Sequence, residues 1–158
     1  MLIDIQLLNE RAKIPTRGSE YAAGYDLYAV LDTNKITIAP HETIKIGTGI
    51  AVSLPADTFG AIFARSGIAT RRGLRPANCV GVIDMDYRGE IIVALHNDTN
   101  DFVKVVNGER IAQLVVIPFV ELQFNQVPEL LRTDRGIGGF GSTDEQYHQM
   151  TLNDWAGA

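Results

Sequence analysis

Ile91-Ile92-Val93-Ala94-Leu95 leads through His96-Asn97-Asp98-Thr99-Asn100-Asp101 to Phe102-Val103-Lys104-Val105-Val106. Asn107-Gly108 then separates that run from Ile111-Ala112-Gln113-Leu114-Val115-Val116-Ile117. Runs of four to eight residues rich in β-branched side chains, punctuated by Asn, Asp and Gly, are the signature of short strands joined by tight turns. The same reading extends outward in both directions. Ile3, Ile5 and Leu7 alternate with Asp4 and Gln6, Ile36 and Ile38 flank Thr37, and Ile44 and Ile46 flank Lys45. Ile50–Leu54, Phe59–Ala64, Val80–Ile83 and Val120–Phe124 add further short apolar segments, with turns at Ala39-Pro40-His41 and Leu54-Pro55-Ala56-Asp57. Period-two alternation repeated this often predicts an antiparallel sandwich, jelly roll or barrel. Helix is suggested only at Ser66–Arg72, too short to be an independent element, and at Glu129–Arg132, where Pro128 is placed to start a turn.

The 158 residues fit one domain. A chain of that size buries roughly 68–70% of its unfolded surface and needs no disulfide or metal to hold it. Hydrophobic residues at 46% and charged residues at 21% exclude a disordered or collagen-like chain. With 14 Lys and Arg against 19 Asp and Glu, the net charge of −5 argues against sequence-independent duplex binding, which depends on many cations. A lone cysteine, Cys79, makes no intrachain disulfide, so a reducing, cytoplasmic setting is expected. Met1-Leu2-Ile3-Asp4 lacks the basic start and apolar run of a signal peptide. The longest apolar run, Leu114–Val120, contains Pro118 and is too short to span a membrane.

Beyond Val127 the alternation stops, and Arg135-Gly136-Ile137-Gly138-Gly139-Phe140-Gly141-Ser142-Thr143 follows. Residues 1–127 are therefore expected to form the core and residues 128–158 an arm. Such a tail is either frayed or an anion-closing segment, since glycine lets backbone N–H groups approach an oxyanion closely. Gly136-x-Gly138-x-x-Gly141 matches the dinucleotide-binding pattern in form only. No strand leads into it, and too few residues follow to complete a βαβ unit. Walker, His-Glu-x-x-His and Cys-x-x-Cys patterns are absent from the sequence, and His41, His96 and His148 have no ligand spacing.

Between Thr58 and Ile83 there is no acidic residue, yet Arg65, Arg71, Arg72 and Arg75 fall within eleven positions. This is either a solvated basic face or a phosphate site in which Arg65 offers a donor fork and Ser66-Gly67 offers short neutral donors. Gly81-Val82-Ile83-Asp84-Met85-Asp86-Tyr87-Arg88-Gly89-Glu90 comes next and reads as one strand of a hairpin whose return is Ile91–Leu95. Asp84 and Asp86 are either turn residues or carboxylates placed to activate water beside a phosphate.

In order, five segments resemble the five motifs of the trimeric dUTP pyrophosphatase (dUTPase) family. They are Ala22–Ala29, Ala64–Ala69, Gly81–Glu90, Gly108–Leu114 and Arg135–Thr143. The resemblance implies a jelly-roll-like antiparallel β-barrel or sandwich of the β-clip kind, with a flexible C-terminal arm. It further implies a homotrimer with inter-subunit active sites, and hydrolysis of dUTP to dUMP and pyrophosphate with Mg2+ riding on the triphosphate. That activity keeps uracil out of DNA and supplies dUMP for dTMP synthesis. Carried over by position, Asp84 deprotonates the attacking water, and Tyr87 packs under the deoxyribose where a 2′-hydroxyl would sit. Asn78 and the Gly81, Val82 and Ile83 backbone read the uracil edge, and Phe140 stacks on the base. Arg65, Ser66, Gly67 and Gln113 hold the phosphates, Arg135, Ser142 and Thr143 close from the arm of a neighbouring subunit, and Asp26 fixes the arginines. No membrane and no nucleic-acid partner are expected.

Two departures from the family pattern stand out: Ala64 where proline usually precedes Arg-Ser-Gly, and Asp144 where glycine usually follows Ser-Thr. Residues 144–158 also extend past the usual stop, with Tyr147 and Trp155 as anchoring aromatics. Two alternatives remain beside this reading. One is the related dCTP deaminase type, which lacks the Phe140-type lid and activates water with a glutamate. The other is a dUTPase-like scaffold used for protein or nucleic-acid binding through the Arg71–Arg75 cluster.

Overall fold

A computed structural model describes residues 2–139. Phe140, Ser142, Thr143, Asp144, Tyr147 and Trp155 lie outside the described residues. The elements in chain order are β1 (Asp4–Leu7), β2 (Thr16–Arg17), β3 (Tyr25–Tyr28), β4 (Lys35–Ile38), β5 (Thr43–Gly47), β6 (Ile50–Ser53) and β7 (Thr58–Phe63). After them come α1 (Ser66–Arg72), β8 (Leu74–Pro76), β9 (Gly81–Ile83), β10 (Ile92–Asn97), β11 (Val103–Val106) and β12 (Arg110–Pro118). Every named strand pairing is antiparallel. The architecture is nearly all-β and jelly-roll-like, one of the three that the alternation allows and the one that the family resemblance implies.

Four sheets share the strands. The largest runs β2-β3-β12-β7-β9, a second runs β5-β10-β8, and two pairs, β1-β6 and β11-β4, complete the set. Alternation sets which side chains enter the core. On β10, Val93, Leu95 and Asn97 are buried while Ile92 is exposed. Leu27, Ile38, Ile46, Leu74, Ile91 and Ile111 join them, each essentially inaccessible to water. Burying a side chain of this size contributes roughly 1.5–3 kcal/mol relative to exposure. Asn97 is polar yet fully buried, because its amide is satisfied: Nδ2 donates to the carbonyls of Ala39 (3.0 Å) and Asp101 (2.8 Å), and Oδ1 accepts from Thr99 N (3.0 Å). That residue thus closes the turn between β10 and β11.

The short helix forms at Ser66–Arg72, a stretch that its sequence marks as too short to be an independent element. Ile68 is its buried anchor, and Gly73 ends it in the left-handed region (φ 61°), donating to the carbonyls of Ala69 and Ile68.

Three expectations need correction. Val120–Phe124 is not a strand; Val120, Leu122 and Phe124 are 78%, 67% and 94% exposed, and alternation without a partner edge does not make a ladder. Glu129–Arg132 is not helical, four residues being too few to nucleate a helix, and only an exposed 3.8 Å contact between the two side chains is present. Gly81–Glu90 and Ile91–Leu95 do not form a hairpin with each other. β9 pairs with β7 (Ala61 opposite Val82), whereas β10 pairs with β5 and β8, so the acidic loop passes from one sheet to another.

The chain divides into two units, Met1–Glu121 and Leu122–Ala158. Among the described residues, no helix is long and apolar enough to cross a membrane.

Candidate active site

β12 occupies the middle of the largest sheet, and Gln113 stands at its centre, opposite Asp26 of β3 on one side and Phe63 of β7 on the other. This register brings the first, second and fourth sequence motifs to one corner. Gln113 Nε2 donates to the Ala64 carbonyl at 2.9 Å, fixing the chain just before Arg65. Gly24 carries no side chain where a Cβ would run into the Gln113 amide.

Asp26, 5% exposed, accepts from Arg65 Nε at 2.6 Å through one oxygen and from Arg110 Nη1 at 3.2 Å through the other. A buried carboxylate held by two guanidiniums is fully paired, and the triad retains one net positive charge. Arg65 spends only its Nε on this mount, so its terminal nitrogens remain as donors for something outside the chain. Arg65 is also the N-cap residue of α1, with no side-chain cap and no acidic residue in the first turn. The Ser66 and Gly67 amides therefore keep the unmet donor capacity of a helix start, and both residues are exposed. Arg65, Ser66, Gly67 and Gln113 together make a positively charged, donor-rich corner suited to phosphate oxygens. Asp26→Ala is expected to cost on the order of 2–3 kcal/mol, less than for a fully buried pair because both arginines are partly solvated. Urea denaturation would check it, and a loss below about 0.5 kcal/mol, the scale of ordinary surface changes, would show that Asp26 is not the mount.

The third motif builds a different surface. Val82 on edge strand β9 is exposed, while Ile83 packs on the core. Asp84 follows at the strand end and is exposed, pairing with no cation among the described residues. A cleft of about 460 Å³ opens here, with Phe59, Val82, Met85 and Phe119 as its apolar lining and Asp84 and Asp86 as its polar groups. The loop then turns, Tyr87 N–H donating to the Asp84 carbonyl at 3.1 Å. The Tyr87 hydroxyl donates to the Glu90 carbonyl at 3.0 Å, and the residue is 43% exposed.

Asn78 sits on the exposed turn between β8 and β9, where Cys79 adopts a left-handed conformation (φ 62°). Arg75 braces that turn. It grips Asp98 with Nε (2.8 Å) and Nη2 (3.0 Å) and donates Nη1 to the carbonyls of Pro76 and Ala77. The hydrogen bond to Asp98 raises the pKa of this guanidinium further above its ordinary value. Arg72 is likewise committed, to Glu109 and the Lys104 carbonyl. Of the cluster read as a basic face, only Arg71 is without an ion pair among the described residues. The arginines between Thr58 and Ile83 are thus mostly internal braces.

The phosphate corner and Asp84 do not meet within the chain. β7 and β9 are antiparallel, with Ile62 opposite Gly81 and Gly60 opposite Ile83. Asp84 consequently lies beside the start of β7 and Arg65 beyond its end, about 20 Å away at ~3.3 Å per residue over six residues. Arg135, in the second unit, donates Nε to the Gly138 carbonyl at 3.0 Å, with Gly136 at φ 53°. Among the described residues, no group of three or more His, Cys, Asp or Glu side chains is placed to hold a metal ion.

Arg110 and Glu90 were given no role from sequence. Arg110 lies within the fourth motif, where it is the only charged residue on β12, and that charge is the available signal.

Fold and site together define an antiparallel jelly-roll protein with an Arg-Ser-Gly anion corner and a separate carboxylate loop. The family model described as dUTPase matches residues 10–144, and the chain belongs to that family. It is 49% identical over 132 residues to the deoxyuridine 5'-triphosphate nucleotidohydrolase of Desulfitobacterium hafniense, covering 83% of this chain and 87% of that protein. It is 43% identical to the enzyme of the same name from Nautilia profundicola, covering 90% of this chain and 99% of that protein. The fold is similar to that of the Staphylococcus bacteriophage 80alpha dUTPase with dUPNHPP, at TM-score 0.79 and 28% identity, covering 89% and 97% of the two chains.

Proposed function

We propose that the chain hydrolyses dUTP to dUMP and pyrophosphate at sites assembled between the copies of a homotrimer. The supporting observation is the placement of Arg65 and Asp84 at opposite ends of β7. The corner's carboxylate, Asp26, is committed to two arginines, and Asp84 lies about 20 Å from Arg65, so the two halves complement each other across two copies of the chain. Membership of the dUTPase family supplies the substrate.

In this reading the triphosphate lies against the free nitrogens of Arg65, the Ser66 hydroxyl, the Gly67 amide and Gln113. Asp84 of another copy takes a proton from water as the oxygen attacks the α-phosphorus. The bond to the bridging oxygen breaks, and pyrophosphate leaves. Asn78 and the Gly81–Ile83 backbone read the uracil edge, and Tyr87 fills the space a 2′-hydroxyl would need. Residues 1–127 act as the core and 128–158 as the arm, with Arg135, Phe140, Ser142 and Thr143 closing over the nucleotide. The corner's donor set is cationic and amide, which suits oxyanions and not Mg2+. The ion therefore arrives on the triphosphate as part of the substrate, where it neutralises phosphate charge. A reducing cytoplasm suits the free, exposed Cys79.

Pyrophosphate release from dUTP, UTP, dCTP and dTTP, each with and without Mg2+, tests the reading. Release from dUTP alone, stimulated by Mg2+, is expected. Ammonia release from dCTP would replace the hydrolase with a deaminase, and no release from any nucleotide would reject the activity.

A further inference from the structure

The acidic loop is fastened at its far end by the Glu90 carboxylate, next to the Ile91 backbone, whose N–H donates to the Ile50 carbonyl (2.9 Å) and whose carbonyl accepts from Thr48 N (3.2 Å) and Oγ1 (2.6 Å). Glu90 turns its carboxylate back under the bend between β5 and β6, where Oε1 accepts the Gly49 N–H at 2.7 Å. The bend is shaped around that carboxylate: a Cβ on Gly47 would strike Glu90 Oε1, and Gly49 adopts φ 67°. The bend is itself well held, since Leu8 N donates to the Gly49 carbonyl (2.7 Å) and Val30 N to the Gly47 carbonyl (2.9 Å). Glu90 also offers its backbone carbonyl to the Tyr87 hydroxyl at 3.0 Å, and the Tyr87 ring covers Gly89 so closely that a Cβ there would collide with it. The ring is therefore held through its hydroxyl by residue 90, and residue 90 is held through its carboxylate by the bend.

We propose that Glu90 is a positioning residue for sugar selection, setting the Tyr87 ring at the height that admits a deoxyribose and rejects a ribose. The inference rests on the reading of Tyr87 as the surface under the sugar. Neither the carboxylate nor its partner reaches the reacting atoms, so its effect falls on discrimination more than on the chemical step. Gln keeps an acceptor oxygen at the same position, whereas Ala leaves the Gly49 amide unmet and leaves residue 90 held only through the backbone of Ile91.

The test compares kcat/KM for dUTP and UTP in the wild type, Glu90→Ala, Glu90→Gln, Tyr87→Phe and Tyr87→Ala, together with hydrogen exchange at the Gly49 amide. For Glu90→Ala the dUTP-to-UTP ratio is expected to fall about tenfold, the scale of one lost hydrogen bond, with faster Gly49 exchange. Glu90→Gln is expected to restore both. Tyr87→Phe deletes only the hydroxyl and should lower the ratio similarly; it decides the point by itself if the alanine variant does not fold. An unchanged ratio in both Glu90→Ala and Tyr87→Phe, with Tyr87→Ala collapsing it, would overturn the role of Glu90 and leave Tyr87 as the gate. An unchanged ratio in Tyr87→Ala would instead remove the gate itself, and the inference with it.

Discussion

Asp84→Asn is expected to lower kcat for dUTP by about 10²–10⁴-fold, the range that a positioned general base contributes. The substitution keeps the size and shape of the side chain and removes its negative charge and its capacity to accept a proton. Folding should be nearly unaffected. Asp84 is exposed, and the turn it begins is closed by its backbone carbonyl, which accepts from Tyr87 N–H irrespective of the side chain. Surface changes of this kind alter stability by about 0.5 kcal/mol or less. Nucleotide affinity should hold or tighten, because a negative charge is withdrawn from the neighbourhood of a triphosphate. Single-turnover pyrophosphate release and calorimetry with a non-hydrolysable dUTP analogue separate the two effects. Turnover within about threefold of the wild type, far short of a general base's share, would take Asp84 out of the role.

The second large effect is a recovery of activity. Arg65→Ala and Asp84→Asn should each be nearly inactive alone, yet regain activity when co-expressed or unfolded and refolded together. If one copy supplies Arg65 and another supplies Asp84, equal random mixing in a closed symmetric oligomer leaves about one quarter of the sites with both groups intact. If a single copy supplied both, no mixed site would be intact and the mixture would stay dead. The roughly 20 Å that β7 places between these residues is the physical reason to expect recovery. Arg65→Ala is a fair partner because Asp26 still has Arg110 at 3.2 Å, so its carboxylate is not left unpaired.

Particular residues show what the sequence could and could not convey. Val93, Leu95 and Val105 face inward as their alternation requires, so β10 and β11 were legible. β3 was not, because Tyr25-Asp26-Leu27-Tyr28 hides one buried carboxylate among aromatics, and Asp26 is buried only through its arginines. β8, three residues long, is defined by its ladder with β10 and by no pattern of its own. The supposed hairpin misled because adjacency in sequence suggests pairing, whereas β9 found a better edge on β7. Within the site, Arg65-Ser66-Gly67 was readable as a local donor cluster. Its mount joins Asp26 to Arg110, 84 positions apart, and such a pair exists only once β3 and β12 lie side by side. The hold of Glu90 on Gly49 spans 41 positions and was equally hidden.

β12 is the last strand of the sheet to be synthesised, yet it lies in the interior of β2-β3-β12-β7-β9. A nascent chain that has emerged only as far as Asn107 holds β3 and β7 with the place between them vacant. Its Asp26 has no Arg110, and its Ala64 carbonyl has no Gln113. Three of the four sheets have all their strands by Val106, but the largest closes only with β12, so the last step of maturation on the ribosome waits for distant pairings, with the slower kinetics such topologies bring. Messages cut short before Pro118 would yield chains lacking the central ladder, to be cleared by proteolysis, in place of weakened enzymes.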